Sequence, residues 1–284
     1  MKLIFKRKTG SLFLIVLTFF VFCTCLSIPS QAGSDQSGVK SLDGLVKHLY
    51  RDSKHVLTSP FHWKQNDLVL FTTLSISTFE LMLLDKESQK IIQRNRTLTT
   101  NRISNWTDRY TKWVANSTIG GLYLSGLVFH DQKSKETALL CLESVALAEG
   151  ITLGLKHLIG RSRPLGNKGS FNFDPLKYPP PFYSLSFPSG HATTAFALSS
   201  VIAGQYRSWV VKLISYSFAS VVSLGRVNNN FHFLSDVFWG GVIGTTVGRC
   251  LVKFHQEEEK KSNWGIISLR QADNMGLGIV IWMK

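Results

Sequence analysis

Hydrophobic and polar positions divide the chain into long apolar stretches separated by short polar ones. Beyond the first thirty residues, apolar stretches at 67–84, 113–130, 136–160, 191–206, 208–225 and 233–253 read as helices. Most are apolar on every side, so each must be covered by protein or lipid. This predicts an all-α bundle of about six core helices. The charge-free runs are short. Asp67 to Glu80, Lys212 to Arg226 and Asp236 to Arg249 each enclose fewer than the ~18 apolar residues of a membrane span. Glu143 and Glu149 interrupt another stretch. An integral six-helix protein and a soluble bundle resting on a membrane both satisfy the pattern.

The ends of the chain read differently. Lys2, Lys6, Arg7 and Lys8 precede an apolar run from Leu12 to Ile28, and Ser30-Gln31-Ala32 has a small-x-small pattern. Residues 1–32 are therefore expected to be a cleaved export signal. The alternative is an uncleaved anchor, because Ser11 to Gly33 carries no charge. Residues 33–66 form a polar lead-in, with one short helix around Leu42–Tyr50, and residues 67–255 form the main domain. Residues 256–284 are a tail that opens on Glu257-Glu258-Glu259-Lys260-Lys261. Within it, Gly265–Leu269 and Gly276–Trp282 read as two short strands around a polar turn, an edge hairpin that alone would be marginal. Between Leu165 and Phe187 lies a loop rich in aromatics, where Pro179-Pro180-Pro181 stops any helix. The polar segment 85–112 reads as a solvated helix and loop. Its sharper reading is a basic collar of Lys86, Lys90, Arg94, Arg96, Arg102, Arg109 and Lys112 facing anionic headgroups.

Composition narrows the partners. The 284 residues are 44% hydrophobic and carry a formal net charge of +14. A basic surplus calls for an anionic partner, either an acidic membrane surface or a phosphorylated substrate. No basic-aromatic RNA motif, zinc finger or leucine zipper is visible, which argues against nucleic acid. Of the four cysteines, Cys23 and Cys25 lie in the leader. Cys141 and Cys250 sit in apolar helices and read as small buried hydrophobes. No cysteine spacing suggests a metal, and no cofactor is expected. Asn-x-Ser/Thr triplets at Asn95, Asn105 and Asn116 read as chance.

Three clusters carry chemistry. The first runs from Lys156 through Gly160 to Arg163-Pro164, at the end of an apolar helix. The second, Pro188-Ser189-Gly190-His191, opens another helix. In the third, Arg226 is followed by His232 and then Asp236. Phosphoryl transfer needs cations or oriented N–H groups around the equatorial oxygens. Lys156, Arg163 and Arg226 supply the cations, and an arginine fork grips two oxygens at once. Ser189 and Gly190 stand where a helix start offers free N–H groups to an anion. His232 with Asp236 at i+4 suggests a shared helix face, on which the carboxylate takes the Nδ1 proton and leaves Nε2 as nucleophile. His191 can protonate the leaving alkoxide and then activate water. Each piece alone has a bland reading: a capping pair, a turn or a basic helix end. Their occurrence in order at the boundaries of apolar helices weakens it, because charge there is costly unless it serves a ligand.

Together, Lys-x6-Arg-Pro, Pro-Ser-Gly-His and Arg-x5-His-x3-Asp resemble the signature of the type 2 phosphatidic acid phosphatase (PAP2) and vanadium haloperoxidase superfamily, over roughly Glu136 to Lys253. The resemblance implies a helical bundle with the clusters converging at one end. It implies His232 as nucleophile, Asp236 as its orienter and His191 as acid/base. It also implies Lys156, Arg163, Ser189, Gly190 and Arg226 as phosphate contacts. The family pattern has serine before the third-cluster arginine; here Gly225 stands there, so a hydroxyl is absent and a small residue is preserved.

The expected function is metal-independent hydrolysis of phosphate monoesters or diphosphates through a phosphohistidine. Apolar helices, collar and aromatic loop favour lipid phosphates at a membrane of the cell envelope, with the active site on the non-cytoplasmic side. The leader and charge-broken helices favour an exported acid phosphatase acting on soluble phosphomonoesters. A vanadium haloperoxidase and a non-catalytic envelope protein are the remaining alternatives.

Overall fold

A computed structural model describes residues 42–177, 183–262, 264–271 and 274–281. The expected leader lies outside the described residues. Seven α-helices are described: α1 (Leu42–Thr58), α2 (Gln65–Arg94), α3 (Leu98–Val128), α4 (Gln132–Ile159), α5 (Gly190–Gln205), α6 (Trp209–Asn228) and α7 (Leu234–Ser262). The tail pairs β1 (Trp264–Gln271) with β2 (Asn274–Ile281) in an antiparallel hairpin, with Gln271 opposite Asn274. The all-α bundle of six core helices expected from the apolar pattern is α2 to α7.

Segment boundaries differ where side-chain charge misleads. The stretch 85–112 is helical except at one turn. α2 continues to Arg94, and α3 starts at Leu98, where Thr97 accepts a hydrogen bond from Thr100 N at the helix start. Asp85, Ser88, Ser104, Thr107 and Thr111 from this stretch are buried, so it is not a solvated collar on all sides. The lead-in also contributes to the core: α1 reaches Thr58, and Val56 joins the main apolar cluster with Leu140, Val201 and Leu251. α7 runs past residue 255 to Ser262.

Short connections join each consecutive pair from α2 to α7 except α4 and α5, which the long segment 160–189 joins, and the helices alternate in direction. The C-terminal ends of α2, α4 and α6 therefore meet the N-terminal ends of α3, α5 and α7. α5 is central and buries nearly every residue from Ala192 to Ala203, as expected for a helix apolar on all sides. Gly240, Gly244 and Gly248 of α7 lie one turn apart against it. A Cβ on Gly240 would stand 2.5 Å from Ser189 O, and one on Gly244 would stand 2.4 Å from Thr193 O. This small-residue stripe lets the two backbones touch, as small-xxx-small seams do between membrane helices.

α2, α4 and α6 are long and apolar enough to cross a membrane. On α2, Leu68, Val69, Phe71, Ile76, Phe79 and Leu83 are exposed on the outside of the bundle. The short charge-free runs therefore do not argue against a bilayer. Glu143 is buried within the bundle, and Glu149 accepts a hydrogen bond from Thr194 Oγ1 of α5. The protein is membrane-associated.

Candidate active site

Each cluster sits where a helix meets a loop at one end of the bundle. α4 stops at Gly160, whose φ of 61° is left-handed, and a Cβ there would fall 2.0 Å from Asp174 O. The turn sends the following residues back across the bundle end. Arg163 N donates to Tyr183 O (2.7 Å) and Ser186 N to Arg161 O (2.8 Å), which ties the first cluster to the segment before the second. Lys156 Nζ donates to Leu185 O at 2.8 Å. Ser189 N donates to Asp236 O at 3.0 Å, which ties the second cluster to the third.

α5 opens at Gly190, and its first N–H with an intrahelical acceptor is that of Thr193, bonded to Ser189 O. The N–H groups of the first turn are thus left for an anion. Around this helix start, three buried polar atoms have no hydrogen-bond partner: Ser189 Oγ, Arg163 Nε and Arg226 Nε. Such atoms are rare inside proteins and costly unless a ligand serves them. The two arginine nitrogens can only donate and the hydroxyl can donate, so an acceptor satisfies all three.

The expected pairing of His232 with Asp236 takes a different form. His232 is not on a helix face; it lies in the loop before α7, and Asp236 belongs to the first turn of that helix. Asp236 Oδ2 accepts from Phe233 N at 2.8 Å, capping α7. His232 Nδ1 is 3.7 Å from Asp236 Oδ2, too far for a direct hydrogen bond. Ser186 bridges the gap. Its hydroxyl donates to Asp236 Oδ2 at 2.6 Å, and its oxygen is 3.4 Å from His232 Nδ1. A proton on Nδ1 faces that oxygen, so Nε2 keeps the lone pair.

Arg161, to which no role was expected, dominates the floor of the site. Fully buried, it donates to Asp236 Oδ1 (2.6 Å), Asp85 Oδ2 (2.8 Å), Ser235 Oγ (2.7 Å) and twice to Ser170 O (2.9 and 2.7 Å). All five guanidinium N–H groups are used. Phe233 covers its face, with the ring centroid 4.5 Å from Cζ. The remaining two arginines have other surroundings. Arg226 pairs with Asp108 of α3, which also accepts from Asn229, and Arg163 has no carboxylate partner among its described contacts. The sequence does show Arg161 within the first cluster, and Ser186 three residues before Ser189. Asp85 and Asp108 lie in the polar stretch, with no spacing to mark them.

Electrostatics separate the two imidazoles from ordinary histidine. Burial pushes His232 down to about 3, and the charges of Lys156 and Arg226 add to this against the opposing pull of Asp236. Burial, Arg226 and Lys112 push His191 down to about 4, opposed by a hydrogen bond to the Asp108 backbone. Burial alone would raise Asp236, but Arg161, His232 and Ser186 bring it down to about 2. At neutral pH the site therefore holds two neutral imidazoles and an ionised carboxylate. His191, His232, Lys156 and Arg226 share one electrostatic environment. Gly190 contributes differently than expected: a Cβ there would lie 3.2 Å from Glu149 Oε2, so its smallness admits α4. Gly225 has a similar cause, since a Cβ would lie 2.3 Å from Thr107 Oγ1 of α3.

Residues 137–260 match the model of the PAP2 superfamily. Over that stretch, less than half of the chain, the protein is similar to the PAP2 superfamily. Three curated relatives share parts of it. A lipid A 1-phosphatase of Porphyromonas gingivalis is 37% identical over 106 residues, which is 37% of this chain and 20% of that protein. Lipid phosphate phosphatases 1 and 2 of Arabidopsis thaliana are each 34% identical over 94 residues, or 28% of this chain. The matches span 29% and 32% of those two proteins, so the chain covers a third or less of the relatives' lengths. Among solved structures, Aquifex aeolicus LpxE aligns with a TM-score of 0.47 at 22% identity, over 60% of this chain and 95% of that one. A transmembrane PAP2-type phosphatidylglycerolphosphate phosphatase from Bacillus subtilis aligns with a TM-score of 0.49 at 21% identity, over 67% and 97%. The PAP2 match begins within α4 and ends within α7, so it contains all three clusters.

Proposed function

We propose that the protein is a phosphatase for lipid phosphates, acting at a membrane without a catalytic metal. The observation that carries this reading is the set of unpartnered buried donors, Ser189 Oγ, Arg163 Nε and Arg226 Nε, at the N-terminus of α5. A phosphoryl group supplies the acceptors they lack, and Lys156 adds charge. His232 Nε2 attacks phosphorus, the P–O bond to the lipid breaks, and His191 delivers a proton to the departing oxygen. Water, deprotonated by His191, then displaces His232 and releases phosphate. Ser186 and Asp236 hold the His232 tautomer throughout, and Arg161 holds Asp236.

The relatives' names, all lipid phosphatases, support a lipid substrate. So do the outward apolar faces of α2, α4 and α6 beside the site. The charges of Arg94, Arg96, Arg102, Arg109 and Lys112 lie at the same bundle end, where they attract anionic headgroups. The expected leader supports a non-cytoplasmic active site, which protease protection in sealed membranes tests.

The deciding experiment is a substrate panel on the purified protein in detergent with EDTA present: phosphatidic acid, a prenyl diphosphate and p-nitrophenyl phosphate. Lipid substrates should turn over fastest, vanadate should inhibit, and His232→Ala should lose turnover while keeping its melting temperature. An acid-labile phosphoprotein should be trapped from wild type and absent from His232→Ala. Normal turnover by His232→Ala overturns the mechanism, and equal rates on p-nitrophenyl phosphate overturn the lipid assignment.

A further inference from the structure

Far from the phosphate pocket, three helices bring a second set of titratable groups to one point. Asp52 of α1, Glu143 of α4 and His255 of α7 each place one ligating atom there, and these atoms lie within 4.8 Å of one another. Along α4, Glu143 is about 20 Å from Lys156 at 1.5 Å rise per residue. Nothing in the phosphatase chemistry uses these residues. Asp52 is fully buried, and Glu143 is 8% exposed. Ionisable groups at such depth within a membrane bundle are expensive and call for a partner.

The partners present do not complete the set. His255 Nε2 is 2.6 Å from Asp52 Oδ2. Arg51 Nε occupies the other Asp52 oxygen at 3.0 Å, leaving Oδ2 to the cluster. Glu143 Oε1 is buried with no hydrogen-bond partner at all. Arg51 and His255 answer Asp52, so the unanswered group is Glu143, one of whose oxygens lacks any donor. A cation at the centre of the three supplies that oxygen with a partner.

We propose that Asp52, Glu143 and His255 form a binding site for a divalent cation of the zinc or manganese class, stapling α1 to the bundle. At a tetrahedral ion with bonds of about 2.0–2.2 Å, ligand atoms stand roughly 3.4 Å apart, so the His255–Asp52 pair, now at 2.6 Å, opens and the wider pairs close. The imidazole favours zinc or manganese over magnesium and calcium, which take oxygen ligands. Arg51 on the outer oxygen of Asp52 is the kind of support that orients a ligating carboxylate. Ligation needs ionised carboxylates and a His255 Nε2 free of a proton, so binding weakens as pH falls. The site is structural and does not touch the phosphate.

The test uses tag-free, full-length protein in detergent, stripped with EDTA, dialysed and titrated with ZnCl2, MnCl2 or MgCl2. Calorimetry and elemental analysis should give one zinc or manganese per chain. His255→Gln and Glu143→Gln should each weaken binding by at least ~100-fold. Zinc should raise the melting temperature of wild type and leave that of His255→Gln unmoved. Phosphatase turnover should be the same with and without the ion, and in His255→Gln, so failure here is distinct from failure of the phosphatase reading. Where Glu143→Gln does not fold, the partly exposed His255 position carries the test. Less than one ion per wild-type chain, or His255→Gln binding like wild type, overturns the proposal.

Discussion

Arg161→Met removes the central charge of the site floor while keeping most of the side-chain volume. Asp85 and Asp236, both buried, would face each other without the guanidinium that bridges them. Breaking a buried ion pair by deleting one partner costs about 3–5 kcal/mol. Part of that loss is visible in Asp236 itself. Its carboxyl is held at about 2 against an ordinary 3.8, worth about 2 kcal/mol at ~1.4 kcal/mol per unit. The depressed value means this stability is present above pH 3.8 and is lost as pH falls through 2. Arg161→Met should lower the denaturation midpoint at neutral pH and flatten the acid decline that Asp236 contributes. It should also release Ser186 and His232 from their fixed geometry. Loss of an orienting carboxylate from a histidine costs ~10⁴-fold in a serine protease, so a drop of about 10³-fold or more in kcat is expected. Thermal melts from neutral pH to pH 2 and initial rates on one soluble ester measure both effects. Asp85→Asn in the same chain should recover part of the stability, with a coupling of about 0.5–3 kcal/mol. The reasoning is refuted if Arg161→Met melts like wild type, or if its folded fraction turns over at the wild-type rate.

Three further outcomes are expected. Because His191 and His232 are both depressed from 6.5, the unfolded chain binds more protons there, so stability should fall as pH drops below 6.5. In turnover, a bound phosphate offsets Arg226 and Lys156 and raises His191, so the basic limb of kcat should lie at higher pH than that of kcat/KM; coincident limbs count against His191 as acid. His191→Ala should slow alkyl phosphates far more than p-nitrophenyl phosphate, whose leaving group needs no proton, and equal losses would remove the acid role. Gly225→Ser should cost about 1–3 kcal/mol by overpacking Thr107, measured by melting, with Thr107→Ala restoring most of it. Wild-type stability in Gly225→Ser would show that the α3–α6 contact yields freely.

The sequence by itself determined the class of the fold and brought forward the groups proposed to react. Long stretches apolar on every side can only be buried helices, and charge at their ends is costly without a ligand, so order and spacing singled out Lys156, Arg163, His191, Arg226 and His232. Tertiary structure decided how those groups are wired. The i+4 spacing of His232 and Asp236 suggested a helix face, but the helix starts between them, and Ser186 from another segment bridges the gap. Arg161 and Arg163 stand two residues apart in one cluster, yet the turn at Gly160 sends the first to the buried carboxylates and leaves the second with an unpartnered Nε. Asp85, Asp108, and the meeting of Asp52 with Glu143 and His255 come from residues far apart in the chain. Local periodicity reports what one segment must bury; only the packing of several segments shows which buried charge answers which.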